Sequence, residues 1–386
     1  MPTEPSQPAP LATRLSRRSF LGQCSSAAGK VASGVVAAPL VIQAELEAAL
    51  DKKKLRLGLL GVGHQGLRWA EAIQTSADTE LVSWFDPEAS QLEKAAGLLR
   101  KKGIAGPHAA LPESSLLENA EVDAIVVASP SHLHFQQIIR AIECSKHILA
   151  EKPVGFNSVE IRQIEKKLGE TDLSVFMTAW NRRYCPERQA LMKWLKTSPM
   201  GKMLEMQISW NQPQGPPQGR NGWMLETKAT GDWLAEHGDH VWDLLFELRP
   251  ETSPNVVKAV RHGQKERPSR YFSVVLDWPD GCLAHFRHSM LPNSGFLPPG
   301  LSFLLQFENG VVDLISGRIS ASTKINPAKS VFSRSDNELH SVLSVFIDRI
   351  SGSDSVVNRE NLAELARAGQ IQSLRDSIAE QFVHLH

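Results

Sequence analysis

Lys152, Glu236, His240 and Asp243 are residues whose types and spacing suit chemistry on an oxygen atom. Lys152 stands in Glu151-Lys152-Pro153, directly after the apolar run KHILA, residues 146–150. The proline disfavours helix at the residue before it, which keeps the lysine at the end of a strand. An ammonium held there can polarise a carbonyl or steady an alkoxide, and a solvated lysine in a turn is the bland alternative. Glu236, His240 and Asp243 recur at spacings of four and three in GDWLAEHGDHVWD, residues 231–243. That segment reads as one helix with Asp232 as N-cap. The spacing puts the three on one face and turns His237 and Asp239 elsewhere. A histidine flanked by carboxylates and poised near neutrality suits the proton of a hydroxyl. A metal face and a plain polar helix face are the other readings of the same spacing, and no third metal ligand stands nearby.

The elements that must position these groups begin with a turn. Gly61, Gly63 and Gly66 lie in GLLGVGHQG, between the apolar run Leu55 to Leu60 and a helix-like segment that opens at Leu67. Strand, glycine turn and helix make a dinucleotide cradle: one glycine for the turn, one for the approach of a pyrophosphate, one for helix packing. His64 and Gln65 sit within it. About twenty residues further on, LVSWF ends in Asp86, a carboxylate suited to a ribose diol. Pro87 and Glu88 follow, with no arginine to meet a 2′-phosphate, so NAD is expected rather than NADP. Ligands of open parallel sheets bind beyond the carboxyl ends of the strands. Ser129, Pro130 and His134 after DAIVVAS, and Glu151 with Lys152, are therefore assigned to the cofactor, a structural hydrogen bond being the other fate for His132 and His134. Arg183 and Tyr184 in NRRY, after SVFMTAW, are assigned to substrate together with Trp223 and Asp243. Most of the nine tryptophans read as core.

A chain of 386 residues exceeds one ordinary core. Apolar strand runs alternate with helical periodicity as far as Trp180, and strand-like runs with hairpin turns at Pro279-Asp280-Gly281 and Glu308-Asn309-Gly310 follow. The expected fold is α/β: an N-terminal Rossmann domain over 52–180, doubly wound around a parallel sheet, and an α+β domain over 181–386 with an open, largely antiparallel sheet. Helical spacing from Asn361 to His384 gives a last helix expected to pack back on the nucleotide domain. The Pro/Gly-rich stretch Asn211 to Gly222 reads as a lid or as a surface connection. Lys plus Arg equals Asp plus Glu at 42 each, which leaves no global field for nucleic acid or an anionic membrane. Four cysteines without CxxC or CxxH spacing indicate neither a disulfide framework nor a zinc site, and no metal is expected. At the N-terminus, SRRSFL (residues 16–21) precedes a weakly apolar stretch to Ile42 that Gly29, Lys30, Ser33, Gly34 and Pro39 interrupt. Residues 1–44 thus resemble a twin-arginine signal and are too broken for a stable membrane span. Export to the periplasm by the twin-arginine machinery, with cleavage after Ala44, is expected; an amphipathic extension on a cytoplasmic protein is the alternative.

Taken together, GVGHQG, Asp86, the run SPSHLHFQQIIRAIECSKHILAEKPVGFN (residues 129–157), NRRY and GDWLAEHGDHVWD closely resemble the Gfo/Idh/MocA family. The resemblance covers Leu55 to about Asp243 by motif. It implies a nucleotide domain joined to an open-sheet substrate domain that often mediates dimers or tetramers, hence a homo-oligomer. The family's catalytic lysine falls on Lys152 and its helix histidine on His240, while Glu236 stands where the family more often has aspartate. The implied activity passes a hydride between nicotinamide and a secondary alcohol of a small carbohydrate or polyol. Lys152 would steady the oxyanion and His240 act as acid and base. Free NAD is scarce outside the cytoplasm, so an exported member is expected to hold its cofactor tightly. An NAD-dependent glycoside hydrolase working by transient oxidation is the alternative, and a non-catalytic ligand-binding relative is a second.

Overall fold

Each apolar run of the first half is joined to the next by a helical crossover too long for a hairpin, so the runs pair in parallel. The computed structural model describes residues 54–171, 175–213, 222–263, 267–291, 299–315, 318–323, 330–333, 338–352 and 354–385. The expected twin-arginine segment with Cys24, the cleavage expected after Ala44 and residues 214–221 of the Pro/Gly-rich stretch lie outside them. The first sheet consists of β1 (Leu55–Leu60), β2 (Thr79–Phe85), β3 (His108–Ala109), β4 (Ala124–Val127), β5 (His147–Ala150) and β6 (Phe176–Thr178). They are parallel in the order β3-β2-β1-β4-β5-β6, the doubly wound order whose direction reverses between β1 and β4. Between them run α1 (His64–Thr75), α2 (Ala89–Lys101), α3 (Glu113–Leu117), α4 (Ser131–Glu143) and α5 (Ser158–Gly169).

Alternation along the strands sends side chains to two cores. Leu57, Leu59, Val126 and Leu149 pack with Trp69 and Ile73 of α1. Leu60, Ile125, Val127 and Ile148 pack with Ile138 and Ile142 of α4. The two-residue β3 left no apolar run to read and was not expected.

After a 3-10 turn (Asn181–Tyr184) come α6 (Pro186–Thr197), β7 (Met203–Asn211), a second 3-10 turn (Gly222–Leu225), α7 (Thr227–Thr230), α8 (Trp233–Glu236) and α9 (Gly238–Leu248). Then follow β8 (Asn255–His262), β9 (Tyr271–Asp277), β10 (Leu283–Ser289), β11 (Gly300–Phe307), β12 (Gly310–Ile315), β13 (Arg318–Thr323), β14 (Ser330–Ser333), α10 (Glu338–Ile350), α11 (Asp354–Glu380) and β15 (Phe382–Leu385). The second sheet runs β14-β13-β12-β11-β7-β10-β9-β8-β15. It is antiparallel except at β7/β10 and β8/β15. Both expected hairpins form, β9 to β10 and β11 to β12, with Gly281 supplying a left-handed φ of 84° at the first. Strict alternation in β9 buries Phe272, Val274 and Leu276 and leaves the intervening residues half-buried.

This second sheet's inner face shares one core with the α4 side of the first sheet, so residue 180 marks a change of sheet within a continuous interior. The chain then returns. Leu339, Val342 and Phe346 of α10 join the α1 side, while Ile371, Leu374 and Ile378 of α11 join the shared core. Helical spacing was expected to continue to His384; the helix stops at Glu380, and Phe382–Leu385 pairs in parallel with β8. Phe382 stacks edge-on near Phe272, which favours an extended backbone there over one more helical turn. Among the described residues no helix is long and apolar enough to cross a membrane, and no group of three metal-ligating side chains converges. Cys144, Cys185 and Cys282 are free thiols.

Candidate active site

The glycine turn divides its work among three positions. Gly61 has a φ of 86°, and a Cβ there would lie 2.6 Å from Ser129 Cα, so the residue admits both the turn and the end of β4. At Gly66 a Cβ would lie 1.9 Å from the Gly61 carbonyl oxygen, which is why α1 can close on the turn. Gly63 has no heavy atom within 4 Å of its added Cβ. Nothing in the protein itself crowds that spot; it opens on a cavity of about 1190 Å³.

That cavity runs from Asp86, Gln91 and Lys94 past the turn to Lys152, Glu236 and His240. Asp86 is oriented at the end of β2: Oδ2 accepts the Val62 N–H and Oδ1 the Glu88 N–H, both at 3.0 Å. A dinucleotide fits this shape and donor set, with pyrophosphate against Gly63 at the N-terminus of α1 and a ribose diol against Asp86.

Several residues assigned to the cofactor brace the cradle. Glu151 is buried, and its Oε1 accepts from Gln65 Nε2 at 2.7 Å and Trp69 Nε1 at 2.8 Å, tying α1 to the end of β5. Ser129 Oγ donates to Gln137. His134 lines the cavity and has the structural hydrogen bonds that were its other expected fate. Its Nδ1 lies 2.8 Å from the Pro153 carbonyl and its Nε2 2.8 Å from that of Ser129, so the ring braces the turns after β4 and β5. Burial keeps its pKa below the ordinary histidine value. Pro130 N-caps α4 and, like His64, lines the cavity.

Lys152 Nζ donates to the Glu236 carbonyl at 2.8 Å and to Glu236 Oε2 at 3.1 Å; Ser131 Oγ donates to Glu236 Oε1. Burial works against the charged lysine, but the carboxylates of Glu236, Glu151 and Asp239 outweigh it and raise its pKa. An ammonium has three N–H donors, and the protein takes two.

The expected single helix over 231–243 breaks in two at His237. As a result Glu236, His237 and His240 all line the cavity, whereas Asp243 turns into the interior. Asp243 accepts from Arg183 Nε at 3.1 Å and Arg188 Nη2 at 3.2 Å, and these guanidiniums outweigh burial to lower its pKa. Arg183 also faces Glu364, and Tyr184 donates to that same carboxylate at 3.3 Å. Asp243, Arg183 and Tyr184 are therefore corrections: they knit the 3-10 turn to α9 and α11 and do not line the cavity. In their place Arg182, one residue earlier, lines it, its guanidinium 4.9 Å from the Trp210 ring centre. Trp223 lines the cavity, and His132 lies outside, 6.5 Å from Trp223 ring to ring.

His240 also departs from expectation. Burial, with Lys152 and Arg182 nearby, holds its pKa well below the ordinary histidine value rather than near neutrality. Neither carboxylate expected to flank it reaches it, since Glu236 serves Lys152 and Ser131 while Asp243 serves arginines. Its Nδ1 is buried without a hydrogen-bond partner, and its ring stacks on Trp210 at 5.7 Å. His237, expected to point away, lies between Trp210 at 4.5 Å and Trp233 at 4.8 Å and is 2.8 Å from His288 through Nδ1. No spacing rule could have found His237, because the break in the helix that exposes it is set by packing.

Comparison with known proteins places the first half. Residues 55–178 match the GFO_IDH_MocA family model, described as an oxidoreductase family with an NAD-binding Rossmann fold. The myo-inositol 2-dehydrogenase of Thermotoga maritima is 26% identical over 164 residues, 42% of this chain and 47% of that protein. The inositol 2-dehydrogenase of Rhizobium meliloti is 29% identical over 165 residues, 42% of this chain and 47% of that one. The chain thus spans about half the length of the curated relatives it matches. The crystal structure of KijD10, a 3-ketoreductase from Actinomadura kijaniata in complex with NADP and TDP-benzene, superposes with a TM-score of 0.71 at 17% identity. It covers 86% of this chain and 99% of that one, a likeness of fold across both sheets.

Proposed function

We propose that this chain, whose residues 55–178 match the Gfo/Idh/MocA oxidoreductases, passes a hydride between a nicotinamide dinucleotide and a secondary carbon of a sugar or polyol. The observation that carries the reading is the single cavity joining Asp86 and Gly63 to Lys152, Glu236 and His240. The names of the inositol dehydrogenases and of the ketoreductase support a substrate with a ring of hydroxyls. Asp86 with no neighbouring arginine in sequence supports NAD. The nicotinamide ring, when bound, accepts or supplies the hydride.

The chain's own residues handle the oxygen. Lys152, charged and steered by Glu236, directs its third N–H at the developing oxyanion and exchanges the proton with it, a role suited to its raised pKa. His240, held neutral, contributes a hydrogen bond to the same oxygen rather than serving as the base. Trp210 and Trp223 wall the substrate end and exclude water from it. The twin-arginine segment supports export of a chain that has already folded around its dinucleotide.

Incubation of the purified protein with each dinucleotide and a panel of monosaccharides and inositols, followed at the absorbance of reduced nicotinamide, tests this. A ketone or lactone product is expected; free sugar without net redox points to the hydrolase, and no turnover by any member overturns the enzyme reading. Lys152→Ala is expected to lower kcat by roughly a hundredfold to a thousandfold while dinucleotide affinity stays within about threefold. Equal loss of both moves Lys152 from chemistry to structure.

A further inference from the structure

His237 and His288 are neither cofactor braces nor parts of the Lys152 pair, yet both rings are held by stacking and by a bond to each other. Both faces of the His237 ring are covered, by Trp210 at 4.5 Å and 7° and by Trp233 at 4.8 Å and 26°. Its Nδ1 is 2.8 Å from His288 Nε2. What the ring can offer the cavity it lines is therefore the edge that carries Nε2. His288 is fully buried, stacks on Phe272 at 4.9 Å, and its Nδ1 has no hydrogen-bond partner.

One hydrogen joins the two rings, and the buried, unpartnered Nδ1 of His288 decides whose it is. A buried N–H without an acceptor is rarer and costlier than a buried lone pair without a donor. His288 therefore keeps its proton on Nε2 and donates it to His237 Nδ1. His237 must then carry its own proton on Nε2, facing the cavity. The same reasoning fixes His240, whose Nδ1 is also buried without a partner, as a second Nε2–H. Burial depresses the pKa of all three rings, His288 to about 3, so the neutral forms persist.

We propose that His288 is a positioning residue that holds His237 as a neutral Nε2–H donor, and that His237, His240 and Lys152 form a donor-only pole built to grip a keto oxygen and an oxygen beside it. The inference rests on the reading above and sharpens it: the substrate class is a cyclic α-hydroxy ketone, and the reaction that the resting protonation states favour is its reduction. In that step the carbonyl π bond opens as its carbon takes a hydride from the reduced dinucleotide. The oxygen takes a proton from the Lys152 ammonium, leaving the oxidised dinucleotide, an alcohol and an amine that solvent reprotonates. A hydroxyl substrate would need an acceptor; none of the three groups presents one, and the neighbouring Glu236 carboxylate is already engaged by Lys152 and Ser131.

Ring-nitrogen NMR of the full chain labelled with 15N-histidine, with and without bound NAD, tests the tautomers without any need for turnover. His237, His240 and His288, assigned through single His→Phe variants, are each expected as the neutral Nε2–H form at about pH 6.5, where a free ring is half charged. In His288→Phe, which keeps the stacking area, His237 is expected to become a mixture of tautomers. A spectrum showing His237 protonated on Nδ1, or charged at neutral pH, overturns the proposal; through-bond correlation of each ring with its assigned backbone identifies the wild-type signals where a variant does not fold. In the reaction, with 2-keto-myo-inositol and myo-inositol as probes, His237→Phe is expected to raise KM for the ketone about fivefold to tenfold with little change in kcat. An unchanged KM, or an equal effect on the alcohol, overturns the donor-only pole. If neither probe is turned over, the proposed function fails for them while the spectrum still decides the tautomers.

Discussion

Asp86 is the side chain to which the proposed preference for NAD is traced. Its two oxygens are aimed by the Val62 and Glu88 N–H groups, which leaves lone pairs for a ribose diol and places a negative charge where a 2′-phosphate would sit. Lys94 lines the same end of the cavity, a cation that would favour a 2′-phosphate instead. Asp86→Asn is expected to weaken NAD about tenfold and to narrow or invert its advantage over NADP, read by tryptophan fluorescence on titration with each dinucleotide. A uniform loss for both would mean that Asp86 only shapes the turn. The same scale shows how far letters carry. Asp86, Lys152 and the glycines are legible because their meaning comes from immediate neighbours. Arg182 and Arg183 are adjacent and chemically alike, and the rotation of one 3-10 turn sends the first to the cavity and the second to Asp243.

Among the elements, the α8–α9 junction governs the site. Asp232 adopts a φ of 68°, a region that favours glycine, directly after Gly231 at the same φ. It is held there by its own carboxylate: Oδ1 accepts from Trp233 N at 2.7 Å and Ser269 N at 2.8 Å, and Oδ2 meets Ser269 Oγ at 3.1 Å and Arg261 at 3.3 Å. These bonds fix where α8 starts and hence where Glu236 and His237 end. Removing the carboxylate leaves a buried guanidinium without this partner and an uncapped helix. Asp232→Ala is expected to lower stability by about 3 kcal/mol in urea unfolding and to raise KM more than it lowers kcat. A loss under about 1 kcal/mol would show that the backbone holds this conformation without help. The N-cap itself was readable from Asp232; the break five residues on was not. Helical periodicity continues straight through it, and the interruption answers to His237 fitting between Trp210 and Trp233.

For the whole molecule, buried neutral histidines tie folding to pH. His134, His237, His240 and His288 all have pKa values depressed by burial. Below about pH 6.5 the unfolded chain takes up protons that the folded chain refuses, so stability is full above that value and falls as pH drops toward the folded pKa values. Each ring contributes a slope of up to about 1.4 kcal/mol per pH unit. Asp239, pushed up to about 6 by burial, opposes this by binding its proton first in the folded state, while His147, also depressed by burial, adds to it. The denaturation midpoint is expected to hold from about pH 8 to about pH 6.5 and to fall steeply below it, and a flat profile would mean that these rings charge in place.

The doubly wound parallel sheet, the glycine turn, the open second sheet and the position of Lys152 at a strand end could all be read from the chain because each is written in a contiguous stretch by sterics, capping or alternation. The pairing of Lys152 with Glu236 across 84 residues and of His237 with His288 across 51 left no such trace. Nor did the choice of Arg182 over Arg183. Those arrangements come from which faces two sheets bury against each other, and burial between distant segments imposes no periodicity on either segment alone.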